Sequence, residues 1–197
     1  RLVVSEVPGT TRDSVALDLD FESRSGEPWH FRLTDTAGLR HRGKVSHAVE
    51  YSSTVRSKKA IEQAEVVFLV LDAEVGVTRA DKALAGEILE AGRCLVIVVN
   101  KWDIAVERFR RDPVPGYESL EHFRKAFADA VNKELFFLPD CPVLFVSAQT
   151  ALNLTDLLGC ARQVRECAGR TLPTPKINQL ISKMLEKRAP KVVKGKP

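Results

Sequence analysis

Three runs of apolar, largely β-branched residues do most to limit what this chain can become: VVFLVLD (66–72), CLVIVVN (94–100) and PVLFVSA (142–148). Each is continuous rather than alternating, the mark of a strand buried on both faces, and such strands belong to parallel sheets covered by helices. The segments between them have helical spacing. Ala80, Leu84, Ile88 and Leu89 line one side of a helix expected over about 78–91. Leu120, Phe123, Phe127, Val131 and Leu135 line another, and Leu154, Leu157, Leu158, Ala161 and Val164 a third. Buried strands alternating with helices over 65–169 imply an α/β domain with a mostly parallel sheet, whose ligands bind at the carboxyl ends of the strands.

The N-terminal part has a different rhythm. Val15, Leu17, Leu19 and Phe21 alternate with Ala16, Asp18, Asp20 and Glu22, and after SGEP (25–28) the alternation resumes at Trp29, Phe31 and Leu33. Residues 15–35 therefore read as a β-hairpin. A helix-like stretch covers 46–63, and RRDPVPGYES (110–119) is a loop. Near the end LPTP (172–175) breaks the chain, and Ile177, Leu180, Ile181, Met184 and Leu185 begin a fresh amphipathic helix. The break divides the chain into 1–171 and 172–197.

At 197 residues and 44% hydrophobic, the chain can bury a core of ordinary domain size. It has no apolar run of membrane-spanning length and no signal-peptide pattern at Arg1, so no membrane partner is expected. Cys94, Cys141, Cys160 and Cys167 show no C-x-x-C spacing. Cys160 and Cys167 stand about 10 Å apart on one helix, too far to bridge, and reduced thiols of a cytoplasmic protein are the expectation. The net charge of +4 is uneven: residues 171–197 carry +6 and the first 170 carry −2. Such a tail either meets an anionic polymer or is a solvated helix face with a frayed end.

Three polar signatures fall at strand ends: DTAG (35–38), NKWD (100–103) and SA (147–148). Each alone is modest evidence; all three in this order, each at a strand's carboxyl end, are not an accident. In NKWD, Asp103 can accept two hydrogen bonds at once, and guanine offers a ring N–H beside an exocyclic NH₂. Adenine lacks that pair and would leave a carboxylate unsatisfied, at about 1–3 kcal/mol or more. Asp103 could equally cap a helix starting at DIAVERF. Asn100 would fasten neighbouring loops, the stem of Lys101 would cover the base's flat face, and Trp102 completes the loop. Ser147 and Ala148 would present backbone groups to the guanine oxygen. Asp35 suits a carboxylate that steers a magnesium ion through its waters, with Thr36 and Ala37 beside the phosphates. Gly38 would let a backbone N–H approach the terminal phosphate, with Leu39 following. In PGTTRD (8–13), Thr11 is the candidate for direct magnesium coordination, although Pro8-Gly9 could simply build a turn. GLRHRGKV (38–45) has the glycine and lysine spacing of a phosphate loop, but Val45 stands where that motif needs Ser or Thr.

These residues are similar to those of a known family. The GTTRD-type segment and DTAG resemble the translation-factor-like bacterial GTPases that include Era and MnmE. DTAGLRHRGKV, Glu50, Ser53, VRSKKAIEQAEVVFLVLDA, GVTRAD and VVNKWD resemble most the branch with two tandem GTPase domains and a C-terminal KH-like domain, which assists ribosome assembly. The resemblance covers residues 5 to about 170 and points to the second GTPase domain, with TPKINQLISKMLEKRAP opening the KH-like domain. It implies a P-loop NTPase-type three-layer α/β/α sandwich whose first strand and phosphate loop precede Arg1, so that 1–197 alone is expected to be inactive. It makes GLRHRGKV part of a nucleotide-sensing switch rather than a phosphate loop. GTP and GDP with Mg²⁺ are the implied ligands, K⁺ an implied stimulant, and Thr11 and Gly38 the implied catalytic contributors. Leu39 cannot orient a water as a glutamine would, so hydrolysis would need another group, an ion or a ribosomal partner. The implied partners are the 50S ribosomal subunit and its rRNA, an upstream GTPase domain and the KH-like domain, all in the cytoplasm. Two alternatives stay open: a non-catalytic RNA-docking module with a degenerate GTPase fold, and a GTPase of tRNA modification.

Overall fold

The apolar runs pair side by side. In the computed structural model, which describes residues 16–22, 26–34, 58–113, 116–138 and 140–187, strands β3 (Val66–Asp72), β4 (Cys94–Asn100) and β5 (Val143–Phe145) form a parallel sheet in the order β3-β4-β5. The register sets Val66 opposite Cys94 and Asp72 opposite Asn100, so β3 and β4 end level. On the other side, Ile97 pairs with Val143 and Val99 with Phe145. The third strand is shorter than its apolar run: past Phe145 the backbone ladder to β4 continues only through the Val146 N–H, which donates to the Val99 carbonyl (2.9 Å).

Helices pack on both faces of this sheet, burying β4 on each side, whereas β3 is buried on one side only, its Val70 being 47% exposed. Leu69, Leu71, Leu95, Ile97, Val99 and Phe145 pack with Ile61 of the helical residues 58–63 (α1). The same core takes Ala85 and Ile88 of α2 (Arg79–Glu90), Trp102 and Ala105 of α3 (Trp102–Arg111), and Val131 of α4 (Leu120–Glu134). The opposite core joins Val96, Val98 and Val146 to Leu154, Leu157, Cys160 and Val164 of α5 (Leu154–Ala168). The architecture is thus the three-layer α/β/α sandwich expected.

The α2 helix corrects its expected face. Asp81, Ala85 and Ile88 are buried and Leu84 partly so, whereas Ala80 is exposed and Leu89 is 48% exposed. The reason is the cap. Thr78 Oγ1 accepts the Asp81 N–H (3.2 Å), and an Asp81 carboxylate oxygen accepts the Thr78 N–H (2.9 Å) and hydroxyl (2.7 Å). This reciprocal box satisfies a carboxylate that is only 3% exposed, so an acid can lie on the inner face.

The hairpin forms where alternation placed it, with β1 (Ala16–Glu22) antiparallel to β2 (Pro28–Thr34) and Leu19 opposite Phe31. On its polar face Arg32 donates two hydrogen bonds to the Asp18 carboxylate (2.7 and 3.1 Å), which hold that acid's pKa below its ordinary value. On its apolar face Phe21 and Trp29 lie 5.7 Å apart, and the Arg162 guanidinium of α5 stands 4.7 Å over the Trp29 ring.

The chain divides into two compact units, Arg1–Arg165 and Glu166–Pro197. The second contains α6 (Thr174–Lys187). Its residues Ile177, Leu180, Ile181, Met184 and Leu185 share one face by helical spacing, and all are 39–62% exposed.

Candidate functional site

The carboxyl ends of β3, β4 and β5 bring together three loops that the sequence separates. The Ala73 N–H donates to the Asn100 carbonyl (3.0 Å), joining the first loop to the second. The second turns at Lys101, whose φ of 61° and ψ of 31° are left-handed, a conformation that costs a non-glycine residue about 1 kcal/mol or more. Lys101 is the N-cap of α3 and makes no side-chain cap hydrogen bond. Its carbonyl accepts the Ile104 N–H (3.1 Å), and the Trp102 N–H reaches across to the Val146 carbonyl (3.0 Å).

Asn100 ties the second loop to the third, because its Oδ1 accepts the Ala148 N–H at 3.0 Å. The Ser147 N–H is likewise engaged, with the Leu152 carbonyl at 3.2 Å, and the fully buried Ser147 hydroxyl accepts the Thr150 N–H at 3.1 Å. Both backbone donors expected to face a base therefore have partners in this structure. A base oxygen would have to take the Ala148 N–H from Asn100.

Trp102 lies at the heart of the first core, 4% exposed, with its rings 4.3 Å from Phe145, 5.4 Å from Phe127 and 5.7 Å from Phe123. Its indole packs inward and anchors the loop from beneath rather than facing a ligand. Asp103 is half-buried in the first turn of α3, where the helix dipole favours a negative charge. It is not the cap, since Lys101 holds that position. Among the described residues its carboxylate has no hydrogen-bond or ion-pair partner. An acceptor pair beside a strained, braced loop can receive two adjacent donors, as the edge of guanine presents them.

Two contributors were not foreseen from the sequence. Asp72 holds the Lys101 ammonium at 2.8 Å. Asn153, at a φ of 57°, donates from Nδ2 to the Phe145 carbonyl (2.8 Å) and braces the third loop. An Asn five residues past Ala148 is the kind of residue that tolerates the left-handed region, and that was the available signal. Thr11, Asp35, Thr36, Ala37, Gly38 and Leu39 lie outside the described residues, as do the GLRHRGKV segment and most of the expected 46–63 helix. Among the described residues no group of three or more His, Cys, Asp or Glu is placed to hold a metal ion, and no helix is long and apolar enough to cross a membrane.

This sheet with its loops defines a P-loop GTPase fold. An Era variant of Aquifex aeolicus, solved with GDP and aluminium fluoride, superimposes with a TM-score of 0.63 at 20% identity, over 87% of this chain and 50% of that one. Era solved with MgGDPNP and a segment of 16S ribosomal RNA gives 0.62 at 20% identity, over 87% and 49%. The particular family follows from the sequence: residues 1–101 match the family described as 50S ribosome-binding GTPase, and the chain belongs to it. It is similar along nearly all its length to the GTPase Der of Acidovorax ebreus, 40% identical over 97% of this chain and 38% of that protein. It is also similar to the GTPase Der of Halalkalibacterium halodurans, 42% identical over 92% and 38%. The chain thus spans about 38% of the length of these curated relatives.

Proposed function

We propose that the gene product binds GTP and GDP through the loops at the carboxyl edge of β3-β4-β5 and hydrolyses GTP with Mg²⁺, as a factor in assembly of the large ribosomal subunit. One observation carries the reading: the half-buried Asp103 carboxylate, without a partner among the described residues, stands at the head of α3 beside a loop fixed by Lys101, Asn100 and Ala148. The chain's own residues then divide the work. Asp103 accepts the two adjacent guanine donors, the Lys101 stem covers the ring, and Asn100 yields the Ala148 N–H to the base oxygen. Thr11 and Asp35 would hold the Mg²⁺, directly and through waters, and Gly38 would admit the terminal phosphate. When bound, the metal would neutralise charge on the phosphates.

The finer organisation belongs to the same proposal. Residues 1–171 would correspond to the second GTPase domain of the tandem-GTPase relatives. Residues 172–197 would open the KH-like domain, with the α6 apolar stripe as its inner face. The +6 charge of 171–197 suits contact with ribosomal RNA once that domain is present. Docking on the 50S subunit, contacts with an upstream GTPase domain, K⁺ stimulation and a cytoplasmic site of action complete the reading. The unbridged thiols of Cys94, Cys141, Cys160 and Cys167 are compatible with that compartment.

The test is a nucleotide panel on the full gene product. Fluorescent GDP, ADP and xanthosine diphosphate are titrated with Mg²⁺, and GTP turnover is followed in K⁺ and in Na⁺. GDP should bind at least a hundredfold tighter than ADP, the discrimination a site built on hydrogen bonds achieves. Equal affinities for GDP and ADP would overturn the base assignment.

A further inference from the structure

We infer that Asp72 is a positioning residue for the nucleotide site, holding the Lys101 side chain in place before any base arrives. This rests on the guanine-site reading given above and deepens it. None of the motifs that mark the site contains Asp72, which ends β3 level with Asn100.

The carboxylate is fixed by its own turn first. The Asp72 carbonyl accepts the N–H groups of Val75 (3.1 Å) and Gly76 (2.8 Å), and its Oδ1 accepts the Glu74 N–H (2.9 Å). With its side chain only 15% exposed, Asp72 then places Oδ2 at 2.8 Å from Lys101 Nζ, and Glu74 Oε2 adds a second negative charge at 3.9 Å. A lysine stem is flexible, and free rotation would cost about 2 kcal/mol to arrest. Here both ends are arrested already: the backbone by its left-handed turn, the ammonium by Asp72. Between those two anchors the stem is a fixed platform at the N-cap of α3, the helix that carries Asp103 in its first turn. A platform ordered in advance spares the nucleotide the entropy of ordering it, and the gain appears mainly in residence time.

The test measures release of fluorescent GDP from the full gene product. Asp72→Asn keeps the shape and an oxygen for the Glu74 N–H but loses the charge that holds Lys101. Lys101→Met keeps an apolar stem and loses the tether from the other end. Each should release GDP roughly tenfold faster, the effect of losing one charge-assisted hydrogen bond. The double variant should match either single one, because both remove the same interaction. Unchanged release in either single variant, or effects that multiply to about a hundredfold in the double, would overturn the inference. If Asp72→Asn does not fold, Lys101→Met, on a half-exposed side chain, still decides by its release rate. The underlying reading fails differently: Asp103→Asn would then leave guanine preference intact, whatever Asp72 does.

Discussion

Asp103→Asn separates the chemistry of base recognition from the stability of the fold. Among the described residues the carboxylate bonds nothing, so the fold loses only a favourable charge in the first turn of α3, about 0.3–1 kcal/mol. Bound guanine loses far more. One charge-assisted hydrogen bond worth about 1.5–3 kcal/mol disappears, and the new amide donor then faces a base donor, which adds a desolvation penalty of about 1–3 kcal/mol. The sum is about 3–6 kcal/mol, or roughly two to four powers of ten in affinity for GDP. Xanthine carries an oxygen where guanine carries the exocyclic NH₂, so the new donor meets an acceptor and affinity should return to within about tenfold of the parent's for GDP. The assay is calorimetric titration of the full gene product with both diphosphates, alongside urea denaturation. Equal losses for both nucleotides, or a fall in folding stability above about 2 kcal/mol, would refute the reasoning and make Asp103 a structural group.

Other variants probe what holds the site in place. Trp102→Ala empties the space between Phe123, Phe127 and Phe145 and should cost about 3–5 kcal/mol in urea denaturation, with GDP affinity falling as the loop loosens. Thr78→Ala breaks the capping box around the buried Asp81 and should cost about 1–2 kcal/mol, leaving nucleotide selectivity unchanged in the diphosphate panel. Mass spectrometry after brief iodoacetamide treatment at neutral pH should find exposed Cys167 modified first. Cys141 and Cys160 should lag, because burial raises both thiol pKa values, helped at Cys141 by the Asp140 charge.

The sheet and the hairpin were legible because each is written in local pattern: continuous runs for β3 and β4, and alternation on either side of SGEP for the hairpin. The places where the chain turns at NKWD and SA were legible for the same reason. The contacts that make a site of them were not. Asp72 meets Lys101, Asn100 meets Ala148, and Trp102 meets Phe145 across tens of residues, and no periodicity encodes such pairs. The α2 face shows the limit inside a single element. Leu89 has the apolar character of a core residue and Asp81 that of a surface one, yet reciprocal capping buries the acid and rotates the leucine outward. Likewise β5 ends at Phe145 although Val146 is still apolar, because the Val146 carbonyl is taken by the Trp102 N–H and the Ser147 N–H turns to the Leu152 carbonyl of the following loop.

That loop allows one more prediction, at Asn153. Its backbone is left-handed, its carbonyl accepts the Leu157 N–H that starts α5, and its side chain holds the Phe145 carbonyl at 2.8 Å. Two effects therefore reside in one residue, and two substitutions separate them. Asn153→Gly accepts the backbone conformation freely and loses only the hydrogen bond, about 1 kcal/mol. Asn153→Ala loses the bond and also adopts a disfavoured φ, so the cost rises to about 2–3 kcal/mol. Both weaken the brace under Ser147 and Ala148, and GDP should dissociate faster in the same order, alanine beyond glycine. Urea denaturation and stopped-flow release of fluorescent GDP give the two rankings. If stability falls in that order while release is unaltered, the third loop takes no part in holding the base; if alanine and glycine are equal in stability, the left-handed turn at Asn153 contributes nothing.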